Sequence, residues 1–148
     1  MRLVEAIKRK FEKAKVVDPN LGELEFRHGV WVGEVMFAGT GRRIRVSIAG
    51  DDQGPDEELI AFFSEIEQRY TELEESVGDD LYELASNADA TAIREHLWQE
   101  FTLEGLRLPR PGTDGLEWEL TYESTKYEDA LFRVQVKDWN TCGVAIDT

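Results

Sequence analysis

The side chains best suited to chemistry in this 148-residue chain are two histidines, one cysteine and 31 carboxylates. A histidine-held zinc ion needs ligands at a spacing such as i, i+4 on one helix face. His28, followed by Gly29 in a turn, and His96, beside the apolar Ile93/Leu97 pair, have no such spacing. His28 reads as a solvated loop residue and His96 as a residue at the edge of the core. The lone Cys142 excludes a disulfide framework and a cysteine-ligated zinc site. As a nucleophile it would need a cationic neighbourhood to become a thiolate. Only Lys137 is close to it in an acidic or neutral stretch, so it reads as a small buried residue of a terminal strand. Gly39-Thr40-Gly41-Arg42 lacks the Gly-Lys-Ser/Thr ending of a phosphate loop and leads into a strand, so it reads as a turn. Asp51, Asp52, Asp56, Glu57 and Glu58 are oxygen donors of the kind calcium takes. Their positions do not match a calcium loop, whose first, third and fifth ligands would be Asp51, Gln53 and Pro55. A catalytic carboxylate pair is defined by its separation in the fold, so a hydrolase using unrecognised carboxylates stands as the alternative function. No catalytic, cofactor-binding or metal-ligating residue is assigned.

The charge is informative because it is uneven. The net charge is −14, which argues against binding nucleic acid through its phosphates. Residues 1–15 carry six basic and two acidic side chains, leaving −18 on the rest. Residues 51–83 hold 13 acidic residues opposed only by Arg69, so two-thirds of that excess lies in one segment. Such a field speeds encounter with a cationic surface and weakens as salt rises.

The elements that must carry these residues follow from periodicity. Leu3, Val4, Ile7, Phe11 and Ala14 make one stripe of a basic amphipathic helix. That helix could lie on an anionic membrane or pack on the body, and with a single anchoring signal no stable membrane attachment is expected. No apolar run is long enough to span a bilayer, and no signal-peptide core is present, so a cytoplasmic location is expected. Residues 21–50 alternate with period two as three short strands, with turns at His28-Gly29 and Gly39-Thr40-Gly41. Gly54-Pro55-Asp56 ends them, with Asp56 as a helix cap. Leu59, Phe63, Ile66, Tyr70, Leu73 and Val77 then form a helical stripe, and Gly78-Asp79-Asp80 is expected to break or kink it. A third helix is expected from near Asp89 through Ile93, Leu97 and Phe101. Strands are expected over 103–108, 116–123, 130–137 and 142–147, separated by Pro109-Arg110-Pro111-Gly112. The fold class is α+β, with an N-terminal helix, an antiparallel strand meander, an acidic helical middle and C-terminal antiparallel strands, all within one domain over 1–148.

Among the tryptophans, Trp118 alternates with Leu116 and Leu120 and is expected in the core, and Trp98 at its edge. Trp31 is out of phase with Val30 and Val32, so it is expected on the less buried face or beneath a covering helix. Trp139, at a strand end, is a candidate exposed anchor for a partner.

The stretch Asp18-Pro19-Asn20-Leu21-Gly22-Glu23-Leu24, then Trp31-Val32-Gly33-Glu34-Val35 and Phe37, resembles the opening of a group of small bacterial proteins known only as domains of unknown function. The resemblance covers about residues 16–50 and implies two strands followed by an acidic helical region. It also implies a glycine-rich hairpin where residues 126–139 stand, from which this chain departs, and it brings no catalytic residues. In size and charge the chain is also similar to small acidic immunity proteins of bacteria. The expected function is a non-enzymatic interaction domain whose acidic helical face, with Glu65, Glu67, Glu72, Glu74, Glu75 and Trp139 as candidate contacts, binds a basic protein. Its oligomeric state is left open.

Overall fold

A computed structural model describes residues 15–148. The helix expected at the N-terminus lies outside the described residues. The chain has a mixed α+β fold, one long helix against a mostly antiparallel sheet of nine strands. Strands β1 (Lys15–Asp18), β2 (Gly22–Arg27), β3 (Val30–Phe37) and β4 (Arg42–Asp51) form an antiparallel meander. Asp18 starts it by accepting hydrogen bonds from the backbone of Asn20 and Leu21 at 2.8 and 2.9 Å, which closes the first turn. His28 and Gly29 take φ of 50° and 84°, the left-handed pair that a two-residue hairpin needs to match strand twist. The β3–β4 turn is closed by Gly41 N–H donating to the Phe37 carbonyl at 2.8 Å.

β5 (Gly54–Pro55) folds back on the end of β4, and Asp56 then caps α1 (Glu57–Ala88), its carboxylate accepting from Glu58 N–H at 2.9 Å. The expected stripe is the buried face of α1, continued by Gly78, Leu81 and Ala85. Each large apolar side chain in it contributes roughly 1.5–3 kcal/mol by leaving water. The break expected at Gly78-Asp79-Asp80 does not occur. The Arg94 side chain lies over Gly78 where a Cβ would meet its guanidinium at 2.3 Å, and it also reaches Asp79 at 3.6 Å. One helical glycine costs about 1 kcal/mol, which burial of Val77 and Leu81 outweighs.

The third helix is also corrected. Asp89 accepts from Thr91 N–H and Oγ1 and pairs with Lys126, which ends α1 in a turn. A single 3₁₀ turn (Arg94–His96) and a four-residue helix α2 (Leu97–Glu100) follow, and Phe101 already begins β6 (Phe101–Leu108). Ile93, expected on the apolar side, is exposed. β6 lies beside β4 and parallel to it, so α1 is the crossover of a β–α–β unit. From β6 a second antiparallel meander runs through β7 (Glu117–Ser124), β8 (Leu131–Lys137) and β9 (Asn140–Asp147). The order across the sheet is β1-β2-β3-β4-β6-β7-β8-β9.

The core lies between α1 and one sheet face. Trp118, Leu120 and Tyr122 of β7 enter it as the alternation requires. Trp31 also points there, in phase with Val35 and Phe37, and donates its indole N–H to the Asp51 carbonyl at 2.8 Å. It is therefore Val30 and Val32 that occupy the less buried face.

Candidate functional site

The two sides of the molecule treat charge differently. On the sheet's outer face, charges meet partners across strands. Glu34 stands opposite Arg45 in the β3–β4 register. Glu119, nearly buried, receives Arg133 at 3.2 Å and Arg107 at 3.7 Å, and Arg133 forks onto Asp147 at 2.6 and 3.0 Å. Those bonds, led by the one to Asp147, hold the Arg133 guanidinium more firmly protonated. Glu104, the extra residue at the β6 bulge, has its carboxyl pushed up by burial and then by Glu123. A 670 Å³ concavity on the same face, over β2–β4, mixes acidic and basic walls that include Glu34 and Arg45.

Among the described residues the outer side of α1 has no such balance. Glu57, Glu58, Glu65, Glu72, Glu75, Asp79 and Glu83 are all exposed. Among the described residues, the cations that reach this helix are Arg69, held at 2.8 Å by Glu72 and 3.2 Å by Glu65, and Arg94 on Asp79. Glu75, Asp79 and Glu83 recur every four residues and form a row of like charges along one line of the helix. Each like-charged i, i+4 pair costs an isolated helix roughly 0.2–0.5 kcal/mol.

The candidate contacts named from the sequence are divided among several environments. Glu65 and Glu72 clamp Arg69, whose guanidinium carbon lies 3.7 Å from the centre of the Trp139 ring. Trp139 is half-buried at the tip of the β8–β9 hairpin, with Asp138 and Trp139 at φ of 51° and 63°. Its ring also packs on Phe62 and Trp118 with centroids 5.4 and 6.0 Å away, so the side chain expected as a free anchor rivets the hairpin to α1. Glu67 turns toward the sheet and accepts the Ala38 N–H at 2.8 Å, fixing the β3–β4 turn to the helix. Glu74 lines a cleft, and Glu75, exposed on the like-charge row, is the one of the five with no partner among the described residues. Asp79, Asp80 and Glu83 fall within the acidic segment 51–83 without being among the candidate contacts, and Asp79 and Glu83 continue the exposed side of α1.

The cleft beside Glu74 encloses 290 Å³ between α1, the β3–β4 turn and the start of β6. Arg42, Thr40 and Trp98 border it, and the hydroxyls of Tyr70 and Tyr122 meet at 2.8 Å at its base. Burial pushes Tyr70 up to about 12 and Tyr122 well above its ordinary value, so both hydroxyls stay protonated at neutral pH. The pair satisfies two polar groups at a helix–sheet contact and supplies no base. Trp98 partly covers it, its ring centroid 5.9 Å from that of Tyr122.

Cys142 is exposed, not buried as expected, because β9 is an edge strand. Its thiol is nevertheless pushed up, by desolvation first and by Glu117 beside it, which disfavours the nucleophilic thiolate. Among the described residues no three His, Cys, Asp or Glu side chains gather as a metal site, and no helix is long and apolar enough to cross a membrane. Comparisons with protein-family models, with curated proteins and with solved structures each returned no match.

Proposed function

We propose that this chain is a non-enzymatic interaction domain whose acidic α1 face binds a basic protein partner. The observation that carries this reading is the contrast between the two sides, cross-paired charge on the sheet and the self-repelling row Glu75, Asp79 and Glu83 on the helix. Isolated surface charges are cheap to keep, but a row relieved among the described residues only by Arg94 on Asp79 lowers the stability of the helix that bears it. A cationic partner removes that repulsion on binding and is drawn in by the same field. A toxin held by an immunity-type protein is one partner of this chemistry, and a bacterial, cytoplasmic setting is part of the proposal.

The test is affinity capture from the source cells at low and high salt, with the Glu75→Gln/Asp79→Asn protein in parallel. One basic protein should be recovered stoichiometrically at low salt, less at high salt, and be lost with the variant. Equal recovery by both proteins would place the contact elsewhere and overturn the reading.

A further inference from the structure

We propose that the free edge of β9 is a strand-addition site for an extended basic segment of a partner protein. This rests on the acidic-face reading and specifies how the partner is held. β9 pairs only with β8, and the backbone donors and acceptors of its other edge have no strand partner among the described residues. Natural sheets guard such edges with lysine, proline, short strands or bulges. Among the described residues the opposite edge strand is β1, whose four described residues include Lys15. β9 has eight residues, and its one irregularity falls near its start, where the register shifts opposite Gln135/Val136. From Gly143 to Asp147 it runs in unbroken register with no lysine or proline. Five residues of strand offer about 17 Å of pairing length.

The flank of α1 decides which chemistry fits that edge. A groove of 430 Å³ lies between helix and strand, with Asp80, Glu83 and Asn87 on one wall and Thr141, Gly143 and Val144 on the other. Among the described residues neither Asp80 nor Glu83 forms a salt bridge. Residues three apart on a helix have Cβ atoms about 5–6 Å apart. Alternate residues of a strand share one face at about 6.8 Å. A strand added beside β9 therefore brings successive same-face side chains under Asp80 and Glu83, where lysine or arginine is the complement. Further along the edge Leu84 also borders a second pocket, of 220 Å³, whose walls include Ala88, Phe132 and the half-exposed Ile146. That pocket accepts one apolar side chain. Main-chain pairing would supply affinity and alternate side chains would supply specificity, as in other strand-addition complexes. A second copy of this chain is disfavoured at the same edge, because two-fold pairing of β9 brings the Asp80 and Glu83 flanks of both copies toward one another.

The experiment measures binding of the full chain to a labelled eight-residue peptide alternating lysine with valine or leucine, by fluorescence anisotropy at low salt. A matched peptide carries N-methyl groups at alternate residues, which removes strand pairing and keeps the charge, and a third has glutamate for lysine. The parent peptide should bind at least tenfold more tightly than the methylated one, and Asp80→Asn/Glu83→Gln should weaken it at least tenfold. Methylated and parent peptides binding within twofold would overturn strand addition while leaving the acidic-face reading intact. The glutamate peptide binding as well as the lysine peptide would overturn both. Absence of binding by the parent peptide at millimolar concentration, or a dimeric mass without peptide, would overturn strand addition alone.

Discussion

Replacing Glu75 and Glu83 by glutamine removes both repulsive pairs of the row while leaving Asp79 against Arg94. Both glutamates are exposed, and neither forms a salt bridge among the described residues, so little else changes. Two like-charged i, i+4 pairs at roughly 0.2–0.5 kcal/mol each give an expected gain of about 0.4–1 kcal/mol. For a chain of this length a kcal/mol moves the midpoint by roughly 2–4 °C, so the double variant should melt about 1–4 °C higher. The assay is thermal unfolding followed by circular dichroism at low salt, repeated near 1 M salt, where the screening length falls to about 3 Å. The gain should be present at low salt and largely vanish at high salt. An unchanged or lower midpoint at low salt would refute the claim that the row is held against its own repulsion. A gain that persists undiminished at high salt would assign the effect to helix propensity instead.

Three further outcomes follow from the packing. Tyr122→Phe strands the buried Tyr70 hydroxyl and should cost about 1–3 kcal/mol, whereas Tyr70→Phe/Tyr122→Phe should recover most of the loss in denaturant titrations; additive losses would deny the pairing. Because the folded state holds Tyr70 up to about 12 and unfolded tyrosine ionises near 10, the unfolded chain loses its proton first as pH rises. The stability this residue contributes is therefore complete below about pH 10 and falls toward pH 12, and the part of the tyrosinate absorbance that Tyr70→Phe/Tyr122→Phe removes should appear together with unfolding, not before it. Gly78→Ala gains about 1 kcal/mol of helix propensity and displaces only the tip of Arg94, whose exposed pair with Asp79 is worth about 0–1 kcal/mol. Unfolding should show no net loss in the parent background and the full gain with Arg94→Ala; a loss in both would mean that the helix backbone cannot accept a Cβ there.

The local parts of this fold were legible in the sequence. Alternation at Ile44, Val46 and Ile48 and at Leu116, Trp118, Leu120 and Tyr122, with glycine at the β2–β3 and β3–β4 turns, carries strand and hairpin information within a few residues. The β8–β9 hairpin was less so, since Asp138 and Trp139 adopt left-handed φ without a glycine, held by Phe62, Trp118 and Arg69. Non-local facts were not legible. The parallel β4–β6 pair joins strands that α1 separates, and no local pattern announces it. Gly78 reads as a breaker until Arg94 covers it, and Leu97 and Phe101 imitate one helix face although the chain passes from helix to strand between them. The sequence leaves Trp31 between the less buried face and a place beneath a covering helix, and its burial in phase with Val35 and Phe37 decides for the second. The acidic composition of the middle segment could be read directly, but not its division into Glu67 at a turn, Glu74 in a cleft and Glu75 in solvent.

A cationic partner on the outer face of α1 can be trapped in place by photo-crosslinking in the source cells. A benzophenone side chain at Gln68, exposed on α1 beside Glu72, is compared with one at Thr121 on the outer sheet face. Position 68 should give one discrete adduct with a basic protein, diminished by Glu75→Gln/Asp79→Asn and absent from position 121. An adduct from position 121 alone, or one from position 68 that ignores those substitutions, would contradict it.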